Sequence, residues 1–293
     1  MTYGFALFPG QGAQHPGMGQ SLFEGSAAAR EVFACASDVA GLDVAKLCFE
    51  GTQEELSRTV NSQVAIFTHS VAALAALREA GVSFEACAGF SLGEYTALAA
   101  SGIVSLEDGV RIVRKRGQVM QAAADAMDSG MAAVLGLDDA VVEQACAEVT
   151  CGVVRPVNYN CPGQLVIAGE RAALNEAIEK CKAAGARRAL PLAVSGAFHT
   201  PLLKDAAAEL RAFLSDFTFS APTMPVYSNL DGQLLDVSDM PAHLERHMMS
   251  PVRWKAPPSS PPAGRTPALL GSGRMAAATP GCLWEAPNLM AVR

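Results

Sequence analysis

Short apolar runs and longer periodic apolar stretches alternate along the first 126 residues. Residues 3–8 (YGFALF) end at Pro9 and Gly10, and both this run and residues 84–88 predict buried strands. The predicted helices cover residues 26–38, 52–58, 63–80, 95–100 and 107–126. Gly81 follows the third of them, in the position where glycine commonly ends a helix. Strands that alternate with helices predict an α/β domain.

The order of elements changes after residue 126. Strands are predicted over residues 131–135, 153–158, 164–168 and 188–194, and helices over 138–148 and 171–184. This is the β-α-β-β-α-β order of a ferredoxin-like unit. We therefore expect a small ferredoxin-like subdomain at 127–194, inserted into a large α/β domain made of 1–126 and 195–254. A helix over 206–214 and a strand over 225–228 complete the large domain.

Residues 255–293 follow neither pattern. They hold seven of the 17 prolines and no amphipathic stretch, which predicts loop or disorder.

Composition and charge exclude several classes of function. The net charge of −7 gives no overall basic field for nucleic acid. The eight cysteines show no C-x-x-C spacing, which favours reduced thiols in a reducing compartment over a zinc site. The N-terminus has no basic segment before a long apolar run, so we predict neither a signal peptide nor a membrane span. A cytoplasmic enzyme is the expectation.

A G-x-S-x-G pentapeptide at residues 89–93 (GFSLG) is the first candidate for chemistry. It places Ser91 between a predicted strand and a predicted helix, which is the setting of a nucleophilic serine on a sharp turn. Such a turn exposes the hydroxyl and directs the N–H of Leu92 at a developing oxyanion.

A nucleophilic serine needs a base, and the chain has five histidines. His69 lies inside an apolar helix, where a core role is favoured, and His15 follows a glycine-rich loop. His199 lies in a turn between a strand and a helix, which makes it the candidate base. No Asp or Glu stands out as an orienting partner, but a backbone carbonyl could accept the other imidazole N–H.

Seven segments, taken together and in order, resemble the malonyl-CoA:acyl carrier protein transacylases. They are FPGQGAQ (8–14), NSQVA (61–65), GFSLGEYTAL (89–98), RGQVMQ (116–121), NYNCPGQLVIAG (158–169), GAFHTPLL (196–203) and SPVRW (250–254). The resemblance covers residues 4–254. It implies an α/β-hydrolase-like large domain with an inserted ferredoxin-like subdomain.

The resemblance also implies a ping-pong malonyl transfer and assigns roles to residues. Ser91 is the expected nucleophile and His199 its general base, oriented by the main-chain carbonyl of His247. The backbone N–H groups of Gln11 and Leu92 form the expected oxyanion hole. The expected substrate-binding residues are Arg116, which holds the malonyl carboxylate, Phe198, which narrows the pocket, and Asn160 and Gln63. For Asn160 and Gln63 a structural role is an equal alternative.

Three features depart from the family pattern. Phe90 stands where the family usually has His, and we expect a weakened rate or altered leaving-group handling rather than loss. His247 stands where Gln is usual; its carbonyl remains, and a role as a second base is an alternative. After Trp254 the family's last strand and covering helix are not recognisable, and the composition is typical of out-of-frame translation of a GC-rich gene. A damaged scaffold is therefore a hypothesis.

The expected partners are malonyl-CoA and an acidic acyl carrier protein, with no metal, redox cofactor, nucleic acid or membrane. The candidate docking cations are Arg114, Lys115, Lys180, Lys182, Arg187 and Arg188, although ordinary surface charge explains each equally well. Three alternatives to malonyl transfer for fatty-acid synthesis stay open. They are an acyltransferase serving a polyketide synthase, a serine esterase or thioesterase, and a truncated, inactive homologue.

Overall fold

Two separate β-sheets organise the chain, and helices pack against each. The structure is a computed structural model that describes residues 2–194 and 196–255, and the backbone of residues 268–270 and 290–292. Its strands are β1 (Thr2–Phe8), β2 (Ser83–Gly89), β3 (Ser129–Leu135), β4 (Val154–Cys161), β5 (Gln164–Glu170), β6 (Arg188–Pro191), β7 (Val226–Tyr227), β8 (Ala268–Leu270) and β9 (Met290–Val292). Its helices are α1 (Gln20–Gly25), α2 (Ala27–Ala40), α3 (Val44–Glu50), α4 (Gln53–Ser57), α5 (Thr59–Glu79), α6 (Leu92–Ala100), α7 (Leu106–Asp125), α8 (Asp139–Ala147), α9 (Arg171–Ala183), α10 (Lys204–Leu214) and α11 (Met240–Met249).

The larger sheet is parallel, with strand order β7-β2-β1-β8-β9. Successive side chains of β1 point to opposite faces, as the two-residue period of a strand requires. Ala6 and Phe8 join the main core, which the long helices α2, α5 and α7 also line. Phe5 and Leu7 join a second cluster that is covered by the segment containing Trp254. Both faces of the central strands are therefore buried, as expected for a parallel sheet.

Strand β8 pairs with the edge of β1 that β2 leaves open. This corrects the predicted irregular structure for 268–270 and 290–292. An unpaired parallel edge presents N–H and C=O groups that a short segment of many different sequences can satisfy, so composition does not reveal the pairing. The rest of the predicted tail lies outside the described residues. In the described part of the chain, no helix follows α11.

The smaller sheet has strand order β4-β5-β3-β6 and is antiparallel throughout. Its elements follow one another as β3-α8-β4-β5-α9-β6, which is the order that the sequence predicts. It has its own core cluster, in which Ile167 and Leu174 are fully buried. The exact limits of the subdomain, residues 127 and 194, stay a prediction.

Helices α1, α3 and α11 have no counterpart among the predicted elements. In α11, Met240, Leu244 and Met248 recur every four residues and are buried, while Asp239 caps the first turn through the N–H of Ala242. Pro241 disfavours the prediction of a helix from the sequence. It lies in the first turn, however, where the missing N–H costs nothing.

Helix α5 is long and apolar enough, by length and composition alone, to cross a membrane. However, 67% of its most apolar window is buried inside the protein, which is typical of a core helix.

His69 lies in this helix and is buried, as the sequence predicts for a core histidine. Burial lowers its pKa to about 4.

Candidate active site

Ser91 sits on a strained turn between β2 and α6. Its backbone has φ +50° and ψ −106°, a conformation that residues with a side chain rarely adopt. The turn also requires two glycines. A Cβ on Gly89 would lie 1.8 Å from the carbonyl carbon of Gly93, and one on Gly93 would lie 2.1 Å from the carbonyl oxygen of Phe8. The pentapeptide is therefore the sequence of a tight turn that lifts Ser91 above the sheet.

His199 contacts the hydroxyl of Ser91 directly. The distance from Ser91 Oγ to His199 Nε2 is 2.7 Å. On the other side of the ring, Nδ1 lies 3.1 Å from the carbonyl oxygen of His247 and 3.0 Å from that of Ser250. Since carbonyls only accept, Nδ1 carries the proton and Nε2 is left as the acceptor for the Ser91 hydroxyl.

The environment of His199 keeps the imidazole neutral. Burial, and next the positive charge of Arg116, lower its pKa to about 4, against the opposing effect of the two carbonyls. At neutral pH the ring is therefore unprotonated at Nε2, which is the state that a general base requires.

Arg116 is a fully buried cation beside the hydroxyl of Ser91. Its Nη2 donates to Ser91 Oγ at 3.2 Å, its Nη1 donates to Gln63 Oε1, and its guanidinium lies 5.0 Å from the ring centre of Tyr95. Burial lowers its pKa, but an arginine stays charged at any physiological pH. Among the residues that the structure describes, no carboxylate forms an ion pair with it.

The basic stretch of α7 thus divides between two environments. Arg111 is exposed and pairs with Asp108 at 2.8 Å, as expected for a solvated helix face. Arg116 lies on the opposite side of the helix, which faces the site.

Two glutamines connect the loop after β1 to Arg116. Gln63 donates to Gln11 Oε1 at 3.2 Å, and Gln11 donates to Thr59 Oγ1 at 3.3 Å. A Cβ on Gly10 would lie 2.5 Å from the carbonyl oxygen of Phe90, so this loop packs directly on the nucleophile turn. Leu92 is the first residue of α6, where the helix dipole favours negative charge. The oxyanion role of Gln11 and Leu92 stays a prediction.

Phe198 and Asn160 lie apart from this cluster of contacts. Phe198 is buried and lines a narrow apolar space with Ala124 and Met127. Asn160 is buried on β4, and its side-chain oxygen makes no hydrogen bond. Neither residue contacts Ser91 through a hydrogen bond in the described structure, and their substrate-binding roles stay predictions.

The side chain of His247 points away from the nucleophile. Its Nε2 lies 3.7 Å from Glu94 Oε2, and its ring packs edge-on against Tyr95. Burial and neighbouring cations hold its pKa well below the usual range. The second-base alternative therefore has no contact with Ser91 to support it.

Phe90 packs against Trp254 in the second core cluster, with ring centres 5.5 Å apart and an edge-on geometry. The effect of this residue on rate stays a prediction.

The structure adds a group of buried polar residues that the sequence reading missed. Asn229 Oδ1 accepts the N–H of Ser91 at 2.6 Å, and the N–H of Asn229 donates to Glu94 Oε2 at 2.6 Å. His243 Nε2 lies 2.6 Å from Glu94 Oε1. One signal was available, since Glu94 is the single charged residue of the apolar helix α6 and comes three residues after Ser91.

Comparison with known proteins now decides the family. The model of the acyl transferase domain matches residues 5–260. The chain belongs to the acyl transferase family. It is 44% identical over 257 residues to a malonyl CoA-acyl carrier protein transacylase of Salmonella typhimurium, covering 87% of this chain and 83% of the relative. It is 41% identical to the protein of the same description from Bacillus subtilis, covering 85% and 80%.

Solved structures agree with this family. An acyl-carrier-protein S-malonyltransferase of Burkholderia pseudomallei has a TM-score of 0.88 at 40% identity, covering 98% of this chain and 94% of that one. A malonyl-transacylase in complex with a type II PKS acyl-carrier protein has a TM-score of 0.86 at 38% identity, covering 92% and 89%. The predicted resemblance and the predicted α/β fold class are confirmed. The family match ends six residues after Trp254.

Proposed function

We propose that this acyl transferase moves a malonyl group from malonyl-CoA to the phosphopantetheine thiol of acyl carrier protein, by way of a malonyl ester on Ser91. One observation carries the proposal: Arg116 is a buried cation that lies 3.2 Å from Ser91 Oγ, and among the described residues it has no carboxylate partner. An unpaired buried charge is costly, so the site is built for a ligand that brings the missing carboxylate. A malonyl thioester has a carboxylate one methylene away from the carbonyl that is attacked.

The first half of the reaction uses the Ser91 and His199 contact. The Ser91 hydroxyl gives its proton to His199 Nε2 as Oγ attacks the thioester carbonyl. The N–H groups of Leu92 and Gln11 stabilise the oxyanion that forms. When the C–S bond breaks, His199 returns the proton to the coenzyme A sulfur, and the malonyl ester remains on Ser91.

The second half runs the same steps in reverse with a different thiol. The phosphopantetheine thiol gives its proton to His199 and attacks the ester carbonyl. The C–O bond to Ser91 breaks, and His199 protonates the released Oγ. No metal or redox group takes part in either half, and we place the reaction in the cytoplasm.

Arg116 supplies the selectivity in this scheme. A planar guanidinium donates two parallel hydrogen bonds to a carboxylate, which pairs the charge and fixes the orientation of the malonyl group. An acetyl group leaves the buried cation unpaired, so it is discriminated against.

The exposed edge of the small sheet fits the carrier protein. Arg187 and Arg188 are exposed there, and Leu190 and Leu192 on the same edge are 51% and 37% exposed. By contrast, three other candidate cations are occupied by surface ion pairs: Lys115 with Glu209, Lys180 with Glu148 and Glu176, and Lys182 with Glu179. Reversal of the charges of Arg187 and Arg188 should raise KM for the carrier protein and leave KM for malonyl-CoA unchanged.

A second candidate function differs only in the carrier protein. The similar malonyl-transacylase mentioned above was solved with a type II PKS acyl-carrier protein. The same chemistry could therefore supply polyketide rather than fatty-acid synthesis. The ratio of kcat/KM for the two kinds of carrier protein separates these functions.

Intact-mass spectrometry after brief mixing with malonyl-CoA tests the proposal. We expect a malonyl adduct on the parent and none on Ser91→Ala. A folded parent without an adduct would contradict malonyl transfer. The esterase alternative is tested in parallel by the turnover of malonyl-CoA in Arg116→Ala, because an esterase has no need of that cation and should keep its full rate, whereas malonyl transfer should slow.

A further inference from the structure

The peptide between Phe90 and Ser91 is held at both ends. Its carbonyl oxygen accepts the N–H of Gly93 at 2.8 Å, and its N–H donates to Asn229 Oδ1 at 2.6 Å. Because Ser91 follows this peptide in a strained conformation, the orientation of the peptide sets the direction of the Ser91 side chain. Asn229 therefore acts on the element that aims the nucleophile.

Hydrogen bonds hold both the backbone and the side chain of Asn229. It follows strand β7, which pairs with β2, so the ends of the two strands bring Asn229 next to the turn. Its N–H donates to Glu94 Oε2 at 2.6 Å, and its carbonyl accepts the N–H of Arg253 at 2.7 Å. Only the side-chain amide nitrogen has no hydrogen bond. The side chain thus has little freedom to release the N–H of Ser91.

The carboxylate of Glu94 is fully buried, and its contacts converge on the same loop. Besides Asn229, it accepts from Ser228 Oγ at 3.3 Å, and it lies 2.6 Å from His243 Nε2 and 3.7 Å from His247 Nε2. Burial of a carboxylate costs several kcal/mol unless it is well hydrogen-bonded, and an apolar side chain would fill the space at lower cost. We infer that Glu94 and Asn229 are positioning residues, which hold Ser91 in line with His199.

This inference concerns the nucleophile of the proposed transfer, but its test does not depend on malonyl recognition. A fluorophosphonate probe reacts with an activated serine: Oγ attacks phosphorus, fluoride leaves, and His199 takes the proton. The rate of labelling therefore reports how Ser91 is presented to its base. It is measured together with KM for malonyl-CoA and with the thermal midpoint of each variant.

The variants distinguish a loss of positioning at Ser91 from a general loss of protein stability. In Asn229→Ala and Glu94→Ala we expect labelling to slow by about 10- to 100-fold, because small displacements of a reacting group cost that much, while KM changes by less than about threefold. Glu94→Gln should stay within about threefold of the parent. Its amide oxygen can accept from Asn229, and its amide nitrogen can donate to the other tautomer of His243. Leu174→Ala, in the core of the small sheet, is the control for destabilisation alone.

The outcomes are distinguishable. Parent-like labelling of Asn229→Ala, or equal slowing in Leu174→Ala at the same thermal midpoint, would overturn the positioning role. If Asn229→Ala does not fold, the contrast between Glu94→Gln and Glu94→Ala decides, with equal rates refuting the role. A parent that is labelled by the probe but not by malonyl-CoA would contradict the proposed function and leave the positioning test intact.

Discussion

The guanidinium of Arg116 and the hydroxyl of Ser91 are in hydrogen-bond contact, with 3.2 Å between Nη2 and Oγ. The group proposed to hold one end of the substrate therefore lies next to the atom proposed to attack the other end. This spacing suits a malonyl unit, whose two carbonyl carbons are separated by one methylene.

Removal of the Arg116 side chain should reverse the preference for malonyl-CoA over acetyl-CoA. In Arg116→Ala we expect kcat/KM for malonyl-CoA to fall by about 100- to 1,000-fold, which corresponds to the loss of a buried charge-assisted pair. The value for acetyl-CoA should not fall. Steady-state assays with both thioesters measure this, and Arg111→Ala on the solvent side of α7 is the control. An equal loss for both substrates would show that Arg116 has no selective role.

Activity and stability should depend differently on pH. Because the pKa of His199 is lowered to about 4, the base stays unprotonated, and kcat/KM should remain constant from pH 8 to about pH 5. Stability should behave differently. His69 and His199 both have lowered pKa values in the folded protein, so the unfolded chain takes up protons first, below its pKa of about 6.5. Their contribution to stability is complete above pH 6.5 and is lost as the pH falls towards 4.

Thermal melts at pH 7, 6 and 5 should therefore show a falling midpoint over a range in which initial rates are constant. His15→Gln, at an exposed position, should leave the pH profile of kcat/KM unchanged. A fall of kcat/KM centred near pH 6.5, in protein that is still folded, would contradict the predicted state of His199.

The side chain of His247 should matter little to catalysis, because its carbonyl makes the contact with His199. Neither ring nitrogen of His247 has a hydrogen bond, so Gln should replace it without loss. We expect kcat/KM of His247→Gln to stay within about threefold of the parent, since the substitution leaves the carbonyl in place. His247→Pro, which distorts the helix and moves the carbonyl, should lose most activity. Severe loss in His247→Gln would revive the second-base alternative.

Strand β8 should contribute to stability through its pairing with β1. Leu269 lies opposite Leu7, and proline there lacks an N–H and fixes φ near −65°, away from the values of a parallel strand. We expect Leu269→Pro to lower the free energy of unfolding by about 1–3 kcal/mol in a denaturant titration. Leu269→Val keeps the N–H and is the control. No difference between them would mean that the pairing is dispensable.

The parent curve in the same titration is informative in itself. A cooperative transition would count against the damaged scaffold that the tail composition suggests.

Ser91 and His199 could be found from the sequence because local signals mark both of them. The glycines around Ser91 and the turn around His199 are readable within a few residues. Arg116 could not be separated from the exposed cations of α7 by local pattern, and only the family resemblance singled it out. The position of a residue in a helix indicates which face of the helix carries its side chain. It does not indicate whether that face lines a pocket.

The contact between Asn229 and Glu94 could not be predicted from the residues near either of them. They are 135 residues apart, and their contact exists because β7 pairs with β2. Strand order in a parallel sheet depends on the crossover connections, and the sequence near either residue does not indicate them. Strand β8 is a further example, because its partner β1 lies at the other end of the chain.

His199, the proposed general base, is oriented by two peptide carbonyls rather than by an acidic side chain. A conventional triad can lose its third member through one base change in an aspartate codon. Here no single codon specifies the acceptor, since every amino acid supplies the same carbonyl. Evolution can therefore vary the residues at 247 and 250 freely, as long as the path of the chain is preserved. The sensitive changes in this part of the gene are then those that shift the backbone, such as insertions, deletions and new prolines.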